Sequence, residues 1–348
     1  MTKKSKEEII ELIKNDPKNV DNYRALADAY IDEQNFQAAF HTYGEILKID
    51  EHDVQSLLNS GSIMFYAKNF MEAEKFYVRG IEVEPENSLL HYNLANVYAE
   101  VNSFDKALVE YKKAIHNGME NAQIYNALGI LYSDNGKYPE SKEAFVKALE
   151  IEPENSECLA NYGTLCQRMG ELKEAEKYFL KSLSLRCDNE QVALAIANLY
   201  VQLQKKEDAK KYFDIALKIQ PNYYSAWVCR AIFYSDEKEF DKAIENYKNA
   251  IELEPKKPNA YMLLAHLLLN EKRYAEAIDT YKRSLDLTDN KAMVCVFIAN
   301  AYMLNSDMRN AINYYRLAIK ATPDNQEIML IYIDILSEFI EGKVSNAA

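Results

Sequence analysis

Glycine and proline are scarce, nine and eight among 348 residues. Neither a low-complexity linker nor a long disordered tail fits that composition. Basic residues are outnumbered, with 41 lysines and arginines against 54 aspartates and glutamates and a formal net charge of −13. With no basic stripe to meet phosphates, a nucleic-acid partner is excluded. No run reaches the roughly 18 apolar residues that a spanning helix needs, so no membrane span is expected. The opening stretch turns acidic at Glu7 and Glu8 before any apolar segment, unlike a secretory signal. A cytoplasmic setting is expected.

Cysteine is sparse too. Cys158, Cys166, Cys187, Cys229 and Cys295 are odd in number and never spaced as C-x-x-C, so they read as structural thiols rather than a disulfide framework. His41, His52, His91, His116 and His266 form no H-x-x-x-H or C-x-x-H pattern, and no metal or other cofactor is expected. There is no phosphate-binding G-x-x-x-x-G-K-[ST] loop, dinucleotide G-x-G-x-x-G or hydrolase G-x-S-x-G elbow. Carboxylates cluster at segment ends such as Glu84-Pro85-Glu86, where solvation explains them. The chain is expected not to be an enzyme.

What is present is a beat. Six of the eight prolines, Pro17, Pro85, Pro153, Pro221, Pro255 and Pro323, are separated by multiples of 34 residues. With proline in column thirty-two, nine copies follow: 20–53, 54–87, 88–121, 122–155, 156–189, 190–223, 224–257, 258–291 and 292–325. Residues 1–19 precede them as a capping half-repeat, and 326–348 follow as a capping helix, from Gln326 to about Glu341, with a short tail. Column eight is always Ala or Gly, column twenty Ala or Ser, and column twenty-four Tyr or Phe. Within 122–155, Tyr125, Leu128, Gly129 and Tyr132 recur at steps of three and four, as do Ser141, Phe145, Ala148 and Leu149, so each marks one face of a helix. Asp134-Asn135-Gly136-Lys137 is a turn signal between them, and Pro153 stops the second helix. Each copy therefore reads as a helical hairpin whose small columns let two backbones approach.

Tyr125, Leu128, Gly129, Tyr132, Phe145, Ala148 and Pro153, with Ser141 in place of Ala, resemble the tetratricopeptide repeat pattern. Tyr224 to Lys257 matches too, except that Arg230 stands where Leu is usual. Other departures are Glu51, Met119, Cys187 and Asp289 for proline, and Lys206 for an aromatic. The resemblance covers 20–325. It implies an all-α fold, a right-handed alpha-alpha superhelical solenoid of antiparallel helix pairs, and a scaffold or adaptor whose concave groove, lined by the first helices, holds a peptide or a partner's helix. A ligand-responsive sensor and a non-catalytic targeting subunit of an enzyme are the alternatives. The family's carboxylate clamp for acidic chaperone tails is not met, since Arg24, Asp28, Asn59, Leu89 and Asn93 stand at its positions and only Asn59 fits.

The columns also assign a surface. Groove columns carry Asp21, Asp28, Asp32, Glu100, Asp134, Glu157 and Asp236 against Arg24 and Arg168, so the protein or peptide partner is expected to be basic or apolar rather than acidic. Asn59, Asn93, Asn96, Asn126 and Asn161 form a candidate amide ladder for a peptide backbone, with Tyr66 and Tyr92 on the same face. Toward the other end, Met262, Leu263, Leu269, Met293, Val296, Phe297, Met303 and Leu304 form a candidate apolar zone, with core packing as its alternative. The last helix is apolar all round through Leu330 and Ile331, which suggests a homodimer through the C-terminal end.

Overall fold

The computed structural model describes residues 5–345, and among them every regular element is an α-helix. Two compact units divide the chain, Met1–Leu185 and Arg186–Ala348.

The first unit opens with α1 (Lys6–Asn15), held by a Ser5–Glu8 capping box. Five helix pairs follow: α2 (Val20–Asp32) with α3 (Phe36–Ile49), α4 (Val54–Tyr66) with α5 (Phe70–Val83), and α6 (Ser88–Glu100) with α7 (Phe104–His116). Then come α8 (Ala122–Asp134) with α9 (Tyr138–Ile151) and α10 (Ser156–Arg168) with α11 (Leu172–Leu185). The first helices begin 34 residues apart because a polar cap recurs there. Asn19, Asp53, Asn87, Asn121 and Asn155 each accept a hydrogen bond from a backbone N–H of the first turn. Buried Ala27, Ala39, Ala73, Ala95 and Ala107 let the paired helices close up, and the rings of Tyr43, Tyr77, Tyr111, Phe145 and Phe179 fill the space beside them. The departure at Ser141 is accommodated internally, since its hydroxyl donates to the Gly129 carbonyl at 2.7 Å.

The second unit contains α12 (Glu190–Gln202) with α13 (Lys206–Ile219), α14 (Tyr224–Asp236) with α15 (Phe240–Leu253), α16 (Pro258–Asn270) with α17 (Tyr274–Leu285), α18 (Lys291–Leu304) with α19 (Met308–Ala321), and α20 (Gln326–Ser345). Arg230 has a use here that leucine would lack. Its Nε donates to Asn246 at 2.7 Å, its Nη1 to Asp214 at 2.7 Å, and its guanidinium lies 4.7 Å from the Trp227 ring centre. Helix α20 runs past the expected Glu341 to Ser345, since a single interior glycine, Gly342, costs only about 1 kcal/mol relative to alanine.

One regularity escaped the column reading. Column fifteen, the turn inside each pair, adopts a left-handed backbone every time: Gln34, Lys68, Asn102, Gly136, Gly170, Gln204, Lys238, Lys272 and Ser306. Two residues later than a tight helix end, the chain folds back with bonds such as Asn69 N–H to Met64 O at 2.9 Å and Glu239 N–H to Tyr234 O at 2.8 Å. The geometry is constant while glycine occurs at only two of the sites.

Candidate functional site

Two adjoining hollows open on the first-helix side of the first unit. The larger, about 710 Å³, lies over α2, α3 and α4 and is lined by Asp28, Ile31, Phe36, Tyr43, Asn59, Ser62, Ile63, Tyr66 and Ala67. Its wall is mostly carbon. Tyr66 is 84% exposed and Phe36 51%, an unusual amount of uncovered aromatic surface for two neighbours. Asp28 is the carboxylate at its edge and pairs with no cation.

The second hollow, about 610 Å³, lies over α6, α8 and the start of α10. Tyr92 and Asn126 are 8% exposed and form its floor, while Asn96, Gln123 and Ile130 line the sides and Phe65 and Phe104 the edge. Glu100, Asp134, Glu152 and Glu157 supply its charge. Arg168 pairs with Asp134 at 2.7 Å, whereas Glu100, Glu152 and Glu157 form no ion pair among the described residues. Burial pushes the Tyr92 and Tyr111 phenols upward, so both remain neutral hydroxyls at physiological pH. Phe65 lines one hollow and Tyr66 the other. Their rings, 5.8 Å apart and edge to face, form the partition.

The amide ladder is partly engaged within the protein. Asn96 accepts from the Tyr111 hydroxyl at 2.5 Å, Asn59 from Gln55 at 3.1 Å, and Asn126 from Asn161 at 3.1 Å. Asn126 in turn donates to Glu157 at 3.4 Å. Asn93 has no hydrogen-bond partner among the described residues, and it is half-buried and lines neither hollow. The structure thus brings Tyr92, Asn96 and Asn126 to one hollow and Asn59 and Tyr66 to the other, with Asn161 holding Asn126 in place.

In the second unit, Met262, Leu263, Leu269 and Phe297 pack against one buried cluster, and Val296 and Met303 against another. Phe297 stacks on Tyr281 at 5.8 Å and meets the His266 ring at 4.8 Å. Met293 and Leu304 are the exposed members of the set, at 38% and 54%. On α20, Ile335 is buried with Ile328, Tyr332 and Phe339 around it, while Leu330, Ile331 and Ile333 face outward.

Reasoning from groove columns missed Ile31, Phe36, Ile63 and Phe65. Ile31 and Phe65 occupy column twelve, one of the groove columns, so they were findable as large apolar residues on that face. Phe36 opens a second helix, and no groove column pointed to it.

Comparison with known proteins agrees with the helix pairs. The family model described as Cilia and flagella-associated protein 70 C-terminal domain matches residues 155–347, and one described as Tetratricopeptide repeat matches 120–188. No curated protein matches the chain. Among solved structures, a tetratricopeptide repeat protein from Parabacteroides merdae is 19% identical with a TM-score of 0.59, over 75% of this chain and 99% of that one. Yeast Tom70 is 15% identical with a TM-score of 0.57, over 97% and 92%. Pseudomonas aeruginosa PilF is 22% identical with a TM-score of 0.52, over 61% and 97%. At these identities the likeness concerns the fold. Among the described residues no helix is long and apolar enough to cross a membrane.

Proposed function

The chain belongs to the tetratricopeptide repeat proteins, in the family described as Cilia and flagella-associated protein 70 C-terminal domain, and we propose that it is a non-catalytic scaffold that holds a partner's peptide segment against the first helices of its first unit. The observation that carries this reading is the hollow over Tyr92 and Asn126, a concave site of about 610 Å³ lined by three carboxylates, Glu100, Glu152 and Glu157, that form no ion pair among the described residues. A closed floor with a few polar groups converging on it is the usual form of a binding site. A basic partner suits the charge. The test is a displayed peptide library screened against the wild type and against Glu100→Lys with Glu157→Lys, with circular dichroism as the folding control. Selected peptides should lose binding to the double variant. Retained binding, or no selected peptide at all, sinks the reading.

A second contact is supported by α20, whose Leu330, Ile331 and Ile333 are 63%, 37% and 50% exposed. Self-association through this face is the reading, and light scattering of Leu330→Glu against the wild type tests it. A wild type that stays monomeric at high concentration overturns it. The reading also includes a cytoplasmic setting, supported by five unpaired thiols. Fractionation of the native cell checks that point, and recovery outside the cytoplasm would contradict it.

A further inference from the structure

The two hollows of the first unit meet at adjacent residues. Phe65 faces the charged one and Tyr66, the next residue, the apolar one. A segment lying along the first helices therefore meets both. The chemistry of the two differs sharply. Over α2 to α4 the lining is Ile31, Phe36, Ile63 and Tyr66, with surface left open to water. Over α6 to α10 the lining includes no lysine or arginine, and the one nearby guanidinium, Arg168, is spent on Asp134 and on Ser133 at 2.9 Å.

We infer that the occupant is one extended peptide carrying a basic side chain for the Glu100–Glu157 hollow and a large aliphatic or aromatic side chain for the Ile31–Phe36–Tyr66 hollow. The spacing follows from size. Adjoining hollows of about 610 and 710 Å³ have centres on the order of 11–16 Å apart, which is roughly three to five residues of extended chain at about 3.3 Å each. Charge complementarity sets the first subsite, because a cation there meets carboxylates that form no ion pair among the described residues, the Lys137 ammonium at the edge lying 4.6 Å from the Phe104 ring centre. Removal of apolar surface from water sets the second. An acidic segment is rejected by the same carboxylates.

This inference rests on the groove reading above. Its test is a peptide array with one arginine and one leucine on a serine–asparagine background, their separation varied from one to eight residues. Solution anisotropy with the best peptide follows. Binding should peak at separations of about three to five and vanish when arginine is replaced by glutamate. Tyr66→Ser changes an exposed side chain, so the fold should persist while the leucine preference disappears. Glu100→Gln with Glu157→Gln should weaken binding at least about tenfold and flatten its dependence on salt. Bound peptides of another composition that still respond to the Glu100 and Glu157 variants would leave the groove reading standing and overturn this one. Binding of no peptide, or binding that no variant alters, would overturn both.

Discussion

Three glycines in column eight let the same substitution be read twice with opposite signs. Gly61, Gly129 and Gly163 lie in first helices, each against the ring of its own pair. A Cβ at Gly61 would stand 2.5 Å from Tyr77 Cε1, at Gly129 2.6 Å from Phe145 Cε1, and at Gly163 2.8 Å from Phe179 Cδ1. Carbon atoms rest about 3.5–4.0 Å apart, so each overlap is on the order of 1 Å. The rings cannot simply swing away, because Tyr77, Phe145 and Phe179 are 2%, 1% and 1% exposed. Overpacking costs about 1–3 kcal/mol, and alanine returns about 1 kcal/mol of helix propensity. Relaxation has a precedent in the array, since Ala27 and Ala95 sit against Tyr43 and Tyr111, which points to the lower part of that range. Gly61→Ala should therefore lose up to about 1 kcal/mol, with Gly163→Ala the mildest. Gly44→Ala is the control: nothing lies within 4 Å of the added carbon, so the variant should gain about 1 kcal/mol. Stacked pairs need not unfold as one unit, so the comparison uses urea midpoints of the full chain followed by far-ultraviolet circular dichroism. A Gly61→Ala midpoint that rises as much as that of Gly44→Ala would refute the close approach of helix and ring.

Three further outcomes follow from the same coordinates. Lys238 holds a left-handed backbone with φ 61°, so Lys238→Gly should raise the thermal midpoint by about 0.5–1 kcal/mol equivalent, and a drop would argue against that turn geometry. His91 is 3% exposed and spans Glu110 at 2.5 Å and the Pro85 carbonyl at 2.8 Å. Glu110→Ala leaves one buried ring nitrogen without its partner and should cost about 1–3 kcal/mol in denaturant melts, against no more than a few tenths if the contact is idle. Burial pushes the Cys158 thiol up to about 12 and that of Cys166 up to about 11, whereas Cys187 is exposed. Alkylation at pH 8 should mark Cys187 first by mass spectrometry, and rapid labelling of Cys158 in the native protein would contradict its burial.

The repeat register makes the chain its own alignment, and that explains what could be read from it and what could not. Helix starts were legible because caps and small columns recur. The turn at column fifteen was half legible: Gly136 and Gly170 announce a left-handed residue, but Gln34, Lys68 and Lys272 reach the same backbone without glycine, held there by the bonds that close the helix end. Part of the polarity on the first helices has an internal use. Column nine faces the column-twenty-four ring of the same pair, so a tyrosine there claims a polar partner: Ser62 for Tyr77 at 3.2 Å, Asn96 for Tyr111 at 2.5 Å, His266 for Tyr281 at 2.6 Å, and Asn300 for Tyr315. Where the ring is Phe145, the column-nine residue is Ile130, and where it is Phe179, Thr164 turns to its own helix at Ala160. Tyr247 over Ile232 breaks the pairing, as does Asn198, whose ring is Phe213. A buried phenol must be satisfied before any ligand is, so a polar residue in column nine reports on its tyrosine and says little about a partner. With Asn96 accounted for in this way, the groups still open to a ligand include the carboxylate of Glu100, that of Glu157 beyond its bond from Asn126, and the exposed rings of Phe36 and Tyr66. A binding segment has to be argued from these residues.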